Sequence, residues 1–220
     1  MIIGVNGRIN SGKDTVGKII QYLTDDTVSK TVYPKFEEFD KLDVGNEGYH
    51  PWQIKKFAGK LKQIASLLTG IPVEKFEDQE FKKLDMNSEW GMTYREFLQR
   101  LGTEAMRDGL HTNVWVNALF ADYKPVVKEW DELGNDTLVQ YPNWIITDMR
   151  FPNEMQAVKA NGGITIRVVR PSDKEIPLDL HPSETALDDA EFDYEIINDG
   201  TIEDLKEKVE GIILHINLNK

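Results

Sequence analysis

The chain has 220 residues, with 26 Lys and Arg against 38 Asp and Glu and a formal net charge of −12. An acidic surface of that size repels a phosphate backbone, which argues against polymeric nucleic acid but leaves a small anionic substrate open. There is no cysteine, so disulfides, thiol nucleophiles and Cys-based zinc sites are excluded. The four histidines show no metal-ligand spacing, and no run approaches the roughly 20 apolar residues of a membrane helix. We therefore expect a cytoplasmic protein with no membrane partner, built as a single domain over residues 1–220.

Met1 to Val5 is a short apolar run closed by a Gly-containing turn, which predicts a buried strand. From Thr15 the spacing turns helical, with Val16, Ile19, Ile20 and Leu23 on one face. Residues 25–52 are polar, aromatic and rich in turn formers; a hairpin or a mobile flap fits them. Gln53 to Phe57 predicts a second strand. A helix follows, with Leu61, Ile64, Ala65 and Leu68 on one face, stopped by Gly70 and Pro72. Further helices are expected over Thr93–Leu101 and Thr112–Tyr123. Residues 124–142 form an insertion, with a hairpin from Val126 to Tyr141 that turns at Leu133-Gly134-Asn135-Asp136.

Trp144 to Thr147 reads as the third buried strand, ending at Asp148. A helix over Asn153–Ala160, strands at Ile164–Val169 and Tyr194–Ile197, and a last helix opening at the capping box Thr201-Ile202-Glu203-Asp204 complete the chain. Strands alternating with helices predict an α/β fold: a five-stranded parallel sheet covered on both faces, with inserted acceptor-binding and lid segments.

The strongest chemical signal is Gly7-Arg8-Ile9-Asn10-Ser11-Gly12-Lys13-Asp14-Thr15, between a strand and a helix. Glycines let successive N–H groups converge on one anion, and the helix N-terminus adds donors and partial positive charge. Lys13 can then reach the β- and γ-phosphates of a nucleotide. The hydroxyl residue usual after the lysine, a magnesium ligand, is replaced by Asp14, with Thr15 next. Either can hold the metal, directly or through water.

A guanine-reading Asn-Lys-x-Asp segment is absent, which argues against a GTPase. Asp131-Glu132-Leu133-Gly134 matches a switch pattern but lies in the expected hairpin turn. Arg95, Arg100 and Arg107 fall in one helical stretch, followed by Arg150, Arg167 and Arg170. Planar guanidinium groups suit bidentate phosphate contacts, which makes Arg95 and Arg150 the first candidates for an acceptor. Asp148 stands just past a buried strand, where ligands of parallel sheets bind, and suits magnesium or acceptor orientation. Trp115 is expected in the core.

Several segments resemble the bacteriophage-type deoxynucleoside monophosphate kinase family, within the P-loop nucleoside monophosphate kinases. They are Ser11–Thr15, Leu98–Glu104, Val114–Val116, Thr147–Arg150, Val169–Pro171, His181–Glu184 and Ile197–Gly200. The Lys-Asp-Thr ending of the loop belongs to that family's pattern. The resemblance implies phosphoryl transfer from ATP to a deoxynucleoside monophosphate, with magnesium. It implies that Gly7, Asn10, Ser11, Gly12, Lys13, Asp14 and Thr15 hold the triphosphate, with metal at Asp14, Thr15 and Asp148. Arg95, Gln99, Gly102 and Thr103 would face the acceptor, and Lys13, Asp148 and Arg150 the reaction centre. Arg170 and His181–Glu184 would belong to or border a lid over 171–190. Asn198 and Gly200 would lie against the adenine. The same resemblance implies host-cytoplasmic location if the chain is phage-encoded, as monomer or homodimer. Dephospho-CoA kinase and animal-type phosphomevalonate kinase share similar loops and are the rival substrate classes. A non-catalytic ATP-binding sensor is the rival of another class.

Overall fold

The computed structural model describes residues 1–25, 35–41, 50–130, 136–171 and 182–218. His181, Lys174, most of the expected lid and the hairpin tip at residues 131–135 lie outside them. The described residues divide into two compact units, one of Met1–Lys56 with Tyr123–Lys220, the other Phe57–Asp122.

The first unit is built on strands β1 (Ile2–Gly7), β2 (Trp52–Lys55), β5 (Asn143–Ile146), β6 (Ile164–Val169) and β7 (Tyr194–Ile197). They form one parallel sheet in the order β2-β5-β1-β6-β7. Central β1 pairs Ile3 with Ile145 on one side and with Ile164 on the other. Ile2, Ile3, Val5, Ile145, Ile146 and Ile166 have no solvent exposure. Burial on both faces is why these strands read as continuous apolar runs rather than alternating ones. The second strand ends two residues earlier than its sequence pattern indicated: Phe57 belongs to the other unit, where it packs on Phe120.

Helix α1 (Lys13–Thr24) buries Val16, Ile19 and Ile20 in the sheet core. The short helix α2 (Phe36–Lys41) presses Phe36 and Phe39 onto Tyr22. This part of the 25–52 insertion is therefore an anchored helix, not the hairpin or flap expected, because two aromatics three residues apart have a hydrophobic surface to cover. β3 (Val126–Trp130) and β4 (Asp136–Gln140) pair antiparallel as the expected hairpin. Helix α6 (Pro152–Ala160) follows β5, and α7 (Ile202–Leu218) closes the chain. Its first turn is a reciprocal box: Thr201 N–H donates to Asp204 Oδ2 at 2.7 Å, and Asp204 N–H to Thr201 Oγ1 at 3.2 Å.

The second unit contains α3 (Gly59–Thr69), α4 (Tyr94–Gln99) and α5 (Val114–Phe120) with two 3-10 turns, Val73–Phe76 and Phe81–Lys83. Gly70 ends α3 in the left-handed region, φ 71°, with its N–H on Ser66 O. The helix expected to end at Leu101 instead runs on as a π-helix, Arg100–Asp108. It closes with i→i−5 bonds from Gly109 N–H to Glu104 O and from His111 N–H to Met106 O, each 3.0 Å. Ala65, Phe76, Met86 and Phe97 form the core of this unit.

Candidate active site

The loop between β1 and α1 owes its shape to tight contacts. Asn10 and Gly12 both adopt positive φ, 64° and 97°. A Cβ on Gly12 would stand 2.5 Å from Asn198 Nδ2, and one on Gly7 2.3 Å from Ser11 Oγ. Glycine is therefore required at both positions by space, and at Gly12 also by backbone conformation. Ser11 N–H returns to Arg8 O at 3.1 Å, closing the curl. Asn198 is buried and donates to Ser11 O at 2.8 Å, tying the segment after β7 to the loop. Ser11 Oγ is buried and has no hydrogen-bond partner among the described residues. A hydroxyl left in that condition within a curl of N–H donors suits an incoming phosphate oxygen.

Lys13 is 8% exposed, and its ammonium reaches back to Arg8 O at 3.4 Å. Burial lowers its pKa; Asp14, Glu184 and Asp148 oppose that shift, and the Arg150 charge adds to it. Those four charged groups are thus within electrostatic reach of Lys13. Asp14 accepts a hydrogen bond from Thr147 Oγ1 at 3.0 Å and lies 3.5 Å from Lys56 Nζ. The approach depends on Gly17, where a Cβ would stand 2.5 Å from Thr147 Cγ2. Only a bare helix face lets α1 come that close to the end of β5.

Asp148, Met149 and Arg150 form the turn beyond β5. Its conformation is held from two sides. Asn6 Nδ2 donates to Met149 O at 2.8 Å, and the buried Glu154 carboxylate accepts Arg150 N–H at 2.7 Å and Phe151 N–H at 3.1 Å. Met149 is fully buried, so half-buried Asp148 and Arg150 on either side of it occupy the carboxyl edge of the sheet. Arg150 Nη1 donates to Ser183 Oγ at 3.3 Å and to Glu184 Oε1. Beside this turn, Asn6, Gly7, Arg8, Arg150, Arg167 and Arg170 contribute to the wall of a cavity of about 400 Å³.

The first unit thus brings together the loop residues Gly7 to Thr15 with Asp148, Arg150 and Asn198. Arg170 is exposed on the cavity wall, and Gly200 sits where a Cβ would meet Asp204 Oδ2 at 2.4 Å. Arg95, Gln99, Gly102 and Thr103 belong to the second unit. There Arg95 Nη2 donates to Gln79 Oε1 at 3.1 Å, and Gln99 is exposed. Gly102 packs against Leu61 and gives its carbonyl to Trp115 Nε1 at 2.8 Å, which makes Trp115 a core residue. Arg107 is buried and bonds Thr112 O, a structural use of a guanidinium.

Asn6, Arg8, Thr147, Glu154 and Lys56 were not singled out from sequence. Their partners lie up to 180 residues away, and only Asn6 and Arg8, which flank Gly7, carried a local cue.

Known proteins supply a separate line of comparison. Residues 51–209 match the family model described as deoxynucleotide monophosphate kinase. The chain belongs to that family. The match bears out the resemblance carried by the sequence motifs, and it starts beyond Gly7–Thr15, so the phosphate loop adds to it. The deoxynucleotide monophosphate kinase of Escherichia phage RB69 is 30% identical over 129 residues, 59% of this chain and 47% of its own length. That of Enterobacteria phage T4 gives 30% over 129 residues, 59% and 48%. A protein of Acanthamoeba polyphaga mimivirus, provisionally given the same name, is 29% identical over 166 residues, 70% of this chain and 79% of its own. The aligned segment spans about half the length of the two phage kinases. Membership of the family makes the protein a phosphotransferase by class. Among the described residues, no helix is long and apolar enough to cross a membrane.

Proposed function

We propose that the protein transfers the γ-phosphoryl group of ATP, as its magnesium complex, to a deoxynucleoside monophosphate, giving the diphosphate and ADP. The observation that carries this is the loop around Lys13, with its orphaned Ser11 hydroxyl, set beside Asp148 and Arg150. Family membership supports the acceptor class.

Phosphoryl transfer of this kind needs no covalent intermediate; it depends on positioning and on neutralising charge. The converging N–H groups of Gly7 to Thr15 bind the β- and γ-phosphates. Lys13, already short of solvent, recovers its lost solvation from phosphate oxygens rather than water. Arg150, on a turn held by Asn6 and Glu154, spreads positive charge over the group in transit. Arg95 in the second unit binds the acceptor phosphate, and Gln99 and Thr103 line the acceptor side.

A magnesium ion fits the donor set. Asp14 and Asp148 are two carboxylates flanking Lys13, and no cluster of three or more His, Cys, Asp or Glu occurs among the described residues. Magnesium is commonly held by one or two carboxylates, with phosphates and water completing its shell. Asp14 and Asp148 would hold it, with the Thr15 hydroxyl beside them, and it would supply charge neutralisation between the β- and γ-phosphates.

A coupled ADP-release assay tests the proposal. It uses magnesium-ATP with the four common deoxynucleoside monophosphates, their ribo forms, dephospho-CoA and phosphomevalonate. Turnover that requires a deoxynucleoside monophosphate is the expected result. Turnover with another acceptor alone would overturn the substrate, and ATP binding without any turnover would leave a sensor.

A further inference from the structure

Glu184 is an acidic side chain that reaches into the phosphate-binding donors without being accounted for by phosphoryl transfer. It ends the 3-10 turn Pro182–Glu184, and its side chain is only 9% exposed. One carboxylate oxygen accepts Arg150 Nη1, and the other accepts the backbone N–H of Ile9, inside the phosphate loop, at 3.4 Å. The same charge is within electrostatic reach of Lys13. A loop N–H, an arginine and the loop lysine are the three kinds of donor that hold a phosphate oxygen. One internal carboxylate accepts hydrogen bonds from the first two and lies within electrostatic reach of the third.

We infer that Glu184 is an internal competitor for phosphate, so that a polyphosphate binds the loop only by displacing this carboxylate from Arg150 and from Ile9 N–H. The inference rests on the P-loop reading above. It also says something about selectivity. An anion must offer these donors more charge and more oxygens than a carboxylate does, which a triphosphate does and a monophosphate does much less well.

The neighbouring contacts make the exchange local. Arg8 holds Asp188 Oδ2 at 3.0 Å, and Arg167 holds the carbonyls of Leu187 and Asp188 while lying 4.6 Å from the Phe192 ring. Leu187 is buried, 3% exposed. The segment after Glu184 is therefore seated by contacts that do not involve Glu184. Rotation of one side chain frees the donors while the backbone beside them stays in place.

The test is calorimetric titration with inorganic tripolyphosphate of the wild-type chain, Glu184→Gln and Asp189→Asn. Glutamine keeps an acceptor for Ile9 N–H but removes the charge. Exposed Asp189 removes the same charge from the same segment without touching the loop. Glu184→Gln is expected to bind about tenfold more tightly, the scale of one charge-assisted hydrogen bond, and Asp189→Asn to change less than about twofold. Equal tightening in both variants would reduce the effect to net charge and overturn the inference. Unchanged affinity would overturn it too, and weaker binding by Glu184→Gln would make the carboxylate a support for Arg150 instead. Should Glu184→Gln fail to fold, Glu184→Asp, one methylene shorter, should still tighten binding by a smaller factor. If tripolyphosphate binds none of the variants, the P-loop reading falls with it. If it binds all alike while acceptor-dependent turnover persists, only the role of Glu184 falls.

Discussion

The two units of this kinase solve the burial problem differently. The sheet unit has Ile2, Ile3, Ile19, Ile20, Ile145, Ile146 and Ile166 at zero exposure, in regular strands and a long first helix. The unit Phe57–Asp122 is made of short helices, two 3-10 turns and a π-helical stretch around Ala65, Phe76, Met86 and Phe97. Stacked and edge-on aromatics, such as Phe81 on Tyr94 at 4.4 Å and Trp90 on Phe97 at 5.0 Å, replace interlocking aliphatics. Leu67, Leu84 and Leu110 of this unit stay exposed. A parallel sheet holds the phosphate loop rigidly by pairing β1 on both sides. A unit of short, irregular helices has fewer regular hydrogen bonds to break and opens locally at lower cost.

Several experiments can break or sharpen that comparison. The largest effect is expected from Phe97→Ala, which removes a buried ring and should cost about 3–5 kcal/mol, against about 0.5–1.5 kcal/mol for Ile145→Val in the sheet. Hydrogen exchange should show faster opening confined to residues 57–122 in Phe97→Ala. Equal loss of protection in β1 and β5 would mean that the units unfold as one. Next in size, Lys13→Ala should lower turnover by roughly 10²- to 10³-fold with the fold intact by circular dichroism, the usual cost of losing one preorganised charge donor. Near-normal turnover would remove the loop from the chemistry.

Arg95→Ala probes the other unit: KM for the acceptor should rise about tenfold with KM for ATP unchanged. Equal effects on both substrates would take Arg95 out of the acceptor site. The smallest effect belongs to Thr147→Val, which deletes the hydrogen bond to partly solvated Asp14. A loss of about 1 kcal/mol predicts roughly fivefold more magnesium for half-maximal turnover. An unchanged magnesium requirement would separate Asp14 from the metal.

The parts legible in the sequence are those whose cause is local. β6 and β7 were placed to the residue, because each is a short apolar run between turn formers. The phosphate loop was legible because its glycines must precede α1 directly, and the Thr201–Asp204 box because both members lie in one turn. The 25–52 insertion was less so: Phe36 and Phe39 make a helix there because Tyr22 awaits them, and nothing within six residues announces that surface. The π-helix at Arg100–Asp108 was missed for a similar reason. Its wide turn is stabilised by packing of Gly102 on Leu61 and by the bond from Trp115, neither of which leaves a periodicity.

By itself, then, the sequence determined the order of strands and helices, the loop that cradles an anion, and Lys13 as its charge, since each depends on residues adjacent in the chain. Only the tertiary structure decided what surrounds that charge. It put Thr147 on Asp14, Asn198 on the loop carbonyl of Ser11, Glu154 under Arg150 and Glu184 against Ile9 N–H. Those partners come from strands, turns and helices far apart in the chain, and it is the parallel sheet, gathering its carboxyl ends at one edge, that brings them within hydrogen-bond reach.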